Sequence, residues 1–130
     1  MASIFTKIIN REIPGHIVHE DDRHIAILDI NPNTKGHLLC IPKEEVDRIF
    51  DLSEEAYLDL MAFSRKLAIA LEKAVPCQRI GVTVIGLEVP HVHVHLIPLQ
   101  TMEDARFVNK TSMTSEDFKQ LIEEIKAHLR

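Results

Sequence analysis

Apolar and polar positions along the chain alternate with two periods, and each period marks a type of element. Ile4, Phe5, Ile8 and Ile9 recur at helical spacing behind Ser3, whose hydroxyl suits an N-cap. Ile13-Pro14-Gly15 ends that helix, because the residue before a proline avoids helical dihedrals. His16–Glu20 and residues 24–30 read as strands, with Asp21-Asp22-Arg23 as the turn between them. Asn31-Pro32-Asn33-Thr34 is a loop by composition, and residues 36–42 form a third, strongly apolar strand. Ser53 opens a long helix reaching about Val75, with Glu54 and Glu55 in its first turn where they suit the helix dipole. Its apolar residues, Leu58, Leu60, Met61, Phe63, Leu67, Ile69 and Leu71, occupy more than one face. Such a helix is expected to be covered on two sides, by a sheet and by a second subunit. Residues 79–87 and 89–99 are two further strands, and Thr114 opens a last helix carrying Phe118, Leu121, Ile122, Ile125 and Leu129 on one stripe. Short turns between strands favour antiparallel pairing. The predicted class is α+β: an antiparallel sheet of about five strands, a long helix packed on it and a C-terminal helix.

The 130 residues make one domain, long enough to bury a core without staples. A net charge of −5 argues against a broad basic face that would bind nucleic acid. No apolar run reaches the ~20 residues of a membrane span, and nothing at the N-terminus resembles a signal peptide. The expected compartment is the cytoplasm. Cys40 and Cys77 give neither a disulfide framework nor a zinc spacing. Cys40, inside Leu38-Leu39-Cys40-Ile41, reads as a small buried residue.

Candidate chemistry concentrates in Pro90-His91-Val92-His93-Val94-His95-Leu96-Ile97-Pro98. A strand alternates its faces, so His91, His93 and His95 share one face while Val92, Val94 and Leu96 pack into the core. Three readings compete. The histidines are a hydrogen-bonded face without chemistry, or a metal site, or a nucleophilic centre. At ~3.3 Å per residue the outer two lie ~13 Å apart, so one ion cannot take all three. An adjacent pair could be completed by His37. As a nucleophile, a neutral imidazole needs one nitrogen aimed at phosphorus and the other held by an acceptor that sets its tautomer. Neighbouring histidines would then donate to phosphate oxygens and to the leaving group.

The run His91-Val92-His93-Val94-His95-Leu96-Ile97 resembles the signature of the histidine-triad (HIT) family. The likeness continues upstream in Ser3-Ile4-Phe5-Thr6-Lys7-Ile8-Ile9, Glu12-Ile13-Pro14, Glu20-Asp21-Asp22, Leu28-Asp29-Ile30-Asn31-Pro32 and Gly36-His37-Leu38-Leu39-Cys40-Ile41-Pro42-Lys43. The blocks are most similar to the nucleoside-phosphoramidase branch, and residues from about Thr101 onward carry little of the match. The resemblance implies that His93 attacks the α-phosphorus of a purine nucleotide conjugate to form a nucleotidyl-histidine, which water hydrolyses. It implies that the His91 carbonyl holds the other nitrogen of His93, that His95 contacts a phosphate oxygen or the leaving group, and that His37 completes the cluster around His91. Asp29 would accept the ribose hydroxyls. Ile4, Phe5, Ile8, Ile27 and Ile30, with Val89, would form the apolar slot for the base. A homodimer and a metal-free, cofactor-free hydrolase follow from the same resemblance.

By pattern alone, Ile4, Phe5 and Ile8 read as core, Asp29 as a turn residue and His37 as a satisfied core histidine; only the resemblance raises them. His16, His19, His24 and His128 read as surface or structural. The chain also departs from the family. Relatives with zinc-binding cysteines have them where Ser3 and Thr6 stand, so no such zinc is expected. Residues 84–90 are shorter than the usual glycine-rich loop, and Glu88 stands where a neutral donor is common. A carboxylate beside a phosphate is repulsive unless protonated or turned away. Two other functions therefore stay open: a dinucleoside polyphosphate hydrolase, and a nucleotide-binding module with little turnover.

Overall fold

The computed structural model describes residues 2–129. The elements are α1 (Ile4–Ile9), β1 (His16–Glu20), β2 (His24–Leu28), β3 (Leu38–Pro42), α2 (Glu54–Ala74), β4 (Arg79–Thr83), β5 (Val94–Leu99) and α3 (Ser115–Lys126), with short 3-10 turns at Ile49–Asp51 and Met102–Ala105. The five strands form one antiparallel sheet, as the sequence predicts, and their order is β1-β2-β3-β5-β4. Helix starts follow their capping residues. Ser3, Ser53 and Thr114 each accept a backbone N–H from the first turn of α1, α2 and α3, and Asp117 completes a capping box with Thr114.

β2 and β3 are buried at every position, so each presents an apolar residue to both faces of the sheet. Ala26, Leu28, Leu38 and Cys40 join Val94 and Leu96 against Leu60, Phe63 and Leu67 of α2 and Phe118, Leu121 and Ile125 of α3. Ile25, Ile27, Leu39 and Ile41 face the other way and pack against Phe5 and Ile8 of α1. Each such Leu or Ile contributes about 1.5–3 kcal/mol by leaving water. The expected second apolar side of α2 is real: Leu58 and Ile69 stay exposed.

Four strands are shorter than their apolar runs predict. β2 stops at Leu28 because Asp29 turns the chain, its carboxylate accepting the Asn31 N–H at 2.9 Å. β3 starts at Leu38, after Gly36 adopts φ +96°. A Cβ there would lie 3.1 Å from Leu71, Val75 and Pro98 side-chain atoms, so both backbone and space call for glycine. The predicted strands 79–87 and 89–99 pair from Arg79↔Leu99 only as far as Thr83↔His95. Beyond that pair Gly86 turns with φ +74°, and the Val92 N–H donates to the Val46 carbonyl outside the sheet. His91 and His93 thus precede β5, and only His95 lies within it.

Candidate active site

His95 pairs with Leu39 across β3 and β5, which sets its ring on the sheet face that packs α1. Val92, Val94 and Leu96 enter the main core, and His91, His93 and His95 turn to the opposite side. The expected alternation therefore holds although the strand is short. Phe5 of α1 meets the rings of His91 and His93 edge-on, with centroids 5.8 and 4.9 Å away, and the His93 and His95 rings are 4.9 Å apart.

Hydrogen bonds set the protons of these rings. His93 Nδ1 lies 2.7 Å from the carbonyl oxygen of His91. A carbonyl only accepts, so Nδ1 carries the hydrogen and Nε2 keeps its lone pair when the ring is neutral. Burial pushes the His93 pKa below 6.5, which favours that neutral form. On the other side, the Asn33 N–H donates to His37 Nδ1 at 3.0 Å, so the hydrogen of neutral His37 is on Nε2. That Nε2 lies 2.9 Å from His95 Nδ1 and donates to it, which leaves the His95 hydrogen on its own Nε2. Burial holds His37 at about 3 and His95 at about 4, both neutral near pH 7. No buried side-chain nitrogen or oxygen among the described residues lacks a partner, so the remaining His93 and His95 nitrogens reach solvent. The site thus offers one lone pair, on His93 Nε2, beside one N–H donor, on His95 Nε2.

His37 corrects one expectation: it pairs with His95, not with His91. The register explains this. Leu38 pairs with Leu96 and Cys40 with Val94, so the start of β3 meets the His95 end of β5 while its far end meets His91. His91 Nε2 accordingly donates to the Pro42 carbonyl at 2.7 Å. Its Nδ1 is 2.6 Å from Ser3 Oγ. Ser3 and Thr6 both reach Glu45: the Ser3 N–H at 2.8 Å and the Thr6 hydroxyl at 2.6 Å donate to the same carboxylate oxygen. These bonds draw the Glu45 pKa down to about 2.

Asp29 lies 3.7 Å from His37 Nε2, and burial raises its pKa. It both caps a turn, as pattern alone suggested, and borders the histidines. Asp29, His37 and His95 each bring a possible ligand atom within 4.8 Å of the others, which narrows the metal alternative to this trio and leaves His93 out of it. The His37–His95 hydrogen bond already occupies two of those atoms. Among the slot residues, Phe5, Ile8, Ile27 and Val89 share one apolar cluster, whereas Ile4 and Ile30 are exposed. Glu88 is exposed, and its charge reaches both Asp29 and His93. His16 stacks on Phe118, and His19 and His24 on Phe63, away from the triad. His128 is exposed beyond α3.

Sequence reasoning misses four residues at the site. Asn33 reads only as a loop residue and Glu45 as one of an acidic pair. Phe107 and Lys110 lie in the aperiodic stretch before α3, yet Phe107 touches the rings of His95 and His37. An isolated aromatic in a polar stretch is the one hint the sequence contains.

Residues 10–102 match the HIT domain. The chain is 35% identical to a Schizosaccharomyces pombe protein named adenosine 5′-monophosphoramidase hnt1, with 100% of each covered. A HIT-like protein of Borreliella burgdorferi is 34% identical over 97% of each chain. A crystal structure of a Hit-like protein from Bartonella henselae, described as involved in cell-cycle regulation, superposes with a TM-score of 0.85 at 31% identity, covering 97% of this chain and 95% of that one. With its triad, its sheet and these likenesses together, the chain belongs to the HIT family.

Proposed function

We propose that the protein hydrolyses purine nucleoside phosphoramidates or related nucleotidyl conjugates at the α-phosphorus, through a nucleotidyl-histidine at His93. The observation that carries this reading is the 2.7 Å bond from His93 Nδ1–H to the His91 carbonyl, which presents Nε2 as the nucleophile. The phosphoramidase name of the fission-yeast relative supports the substrate class.

In the first step His93 Nε2 bonds to phosphorus, the bond from phosphorus to the leaving nitrogen breaks, and that nitrogen takes the hydrogen of His95 Nε2. The His37 Nε2–H at 2.9 Å supports the His95 ring while it is short of a proton. In the second step a water oxygen bonds to phosphorus, the electron pair of the N–P bond returns to His93, and a water proton returns to His95. Asp29 receives the ribose hydroxyls, and the base lies in the slot formed by Phe5, Ile8, Ile27 and Val89, with the exposed Ile4 and Ile30 as further apolar surface for it to cover. Exposed Leu58 and Ile69 of α2 and Val82 of the edge strand β4 support assembly as a homodimer.

Release of ammonia from adenosine 5′-phosphoramidate tests the reading, with chelator present throughout. The wild type turns over, and His93→Ala loses at least about a thousandfold in kcat, because the covalent path itself is gone. A His93→Ala variant that keeps most of the rate would refute the intermediate.

A further inference from the structure

The stretch after β5 returns across the histidine end of the sheet and is tied down there. The Thr111 N–H donates to the Pro32 carbonyl at 2.8 Å, and the Lys110 ammonium donates to Asn33 Oδ1 at 2.7 Å. Asn33 is buried and held from behind as well, its side-chain amide donating to the Asp104 carbonyl at 3.1 Å. Phe107 is thereby seated against His95, ring centroids 5.0 Å apart, with the Lys110 ammonium 4.8 Å above its own ring.

Four rings now stand in a series: Phe5, His93, His95, Phe107, with successive centroids 4.9, 4.9 and 5.0 Å apart. The base slot is at the Phe5 end and phosphorus is met between the two histidines. The leaving group, protonated by His95, therefore emerges at the Phe107 end, where the cation is. Both partners of Lys110 are uncharged, and among the described residues no carboxylate pairs with it. Asp29 feels the Lys110 charge but does not come within ion-pairing distance of it, and an ordered cation with no ion pair at the exit of a site favours an anion there.

We propose that Phe107 and Lys110 form the leaving-group subsite and select nucleotidyl conjugates whose leaving amine carries an anionic group. This rests on the hydrolase reading above. Three adenosine 5′-phosphoryl conjugates test it, made with glycine, aminomethylphosphonate and glycinamide, which differ in the charge beside the same reacting nitrogen. The wild type, Lys110→Met and Lys110→Arg are compared by kcat/KM on each. The drop from wild type to Lys110→Met is expected to be about fivefold larger for the two charged conjugates than for glycinamide, the size of a partly solvated ion pair. Lys110→Arg keeps the preference. Comparing enzymes on one substrate cancels differences in leaving-group basicity, and Lys110 is exposed, so the variants fold. The larger of the two charged effects tells carboxylate from phosphonate as the favoured anion. Equal losses on all three conjugates would overturn the subsite while leaving the hydrolase intact. Failure of the wild type on all three and on adenosine 5′-phosphoramidate would overturn the hydrolase reading itself, and the subsite with it.

Discussion

Removing one hydroxyl tests how α1 is joined to the triad. Ser3 Oγ does two things at once: it accepts the Thr6 N–H as the cap of α1, at 3.1 Å, and it meets His91 Nδ1 at 2.6 Å. In Ser3→Ala the cap is lost, which costs about 1 kcal/mol. The His91 ring is fully buried, so its Nδ1 is left without a partner and without water, which costs about 1–3 kcal/mol more. The Ser3 N–H bond to Glu45 survives, since it uses the backbone. The expected loss is about 2–4 kcal/mol, or a fall in Tm on the order of 10 °C for a chain of this length. Urea unfolding of wild type, Ser3→Ala and Ser3→Thr measures it. Ser3→Thr keeps a hydroxyl at the cap and recovers most of the loss. A Ser3→Ala unfolding free energy within about 0.5 kcal/mol of wild type would refute the reasoning, because it would mean that neither bond matters in solution.

Two further outcomes follow from the same geometry. The buried His37 and His95 have folded pKa values of about 3 and about 4 against 6.5. The unfolded chain therefore binds their protons first: stability is complete above about pH 6.5 and falls progressively as pH drops toward 4, and a His37→Gln variant unfolds with a weaker dependence across that window. At Gly36, alanine would need φ +96° and would press three side chains at 3.1 Å, so Gly36→Ala should lose about 1–3 kcal/mol in the same unfolding assay.

The sequence disclosed what depends on near neighbours. Ser3, Ser53 and Thr114 announce their helices because a cap and the turn it serves are three residues apart. The histidines announce their shared side because a strand's period is two. What it concealed depends on register. Nothing local says that Leu38 meets Leu96, yet that pairing decides that His37 serves His95 rather than His91. The same holds for Glu45 beneath Ser3 and for Lys110 on Asn33, partners 42 and 77 residues apart. Apolar runs also overstated the strands. Val84 and Val92 are apolar because they pack against the core, but the Val92 N–H bonds to a loop carbonyl, so burial there does not mean sheet.

The pairing of β3 with β5 also bears on how the site comes into being. It joins residues 38–40 to residues 94–96 across the whole of α2 and β4. Closing so long a loop is among the slower events available to a folding chain. Two of the bonds that set the histidine protons, from His37 to His95 and from His91 to Pro42, span that same closure, whereas those from Asn33 to His37 and from His93 to the His91 carbonyl are local. A nascent chain that holds its β1–β2–β3 meander can therefore have His37 oriented by Asn33 and still lack its partner, because His95 is brought to it only by the last strand.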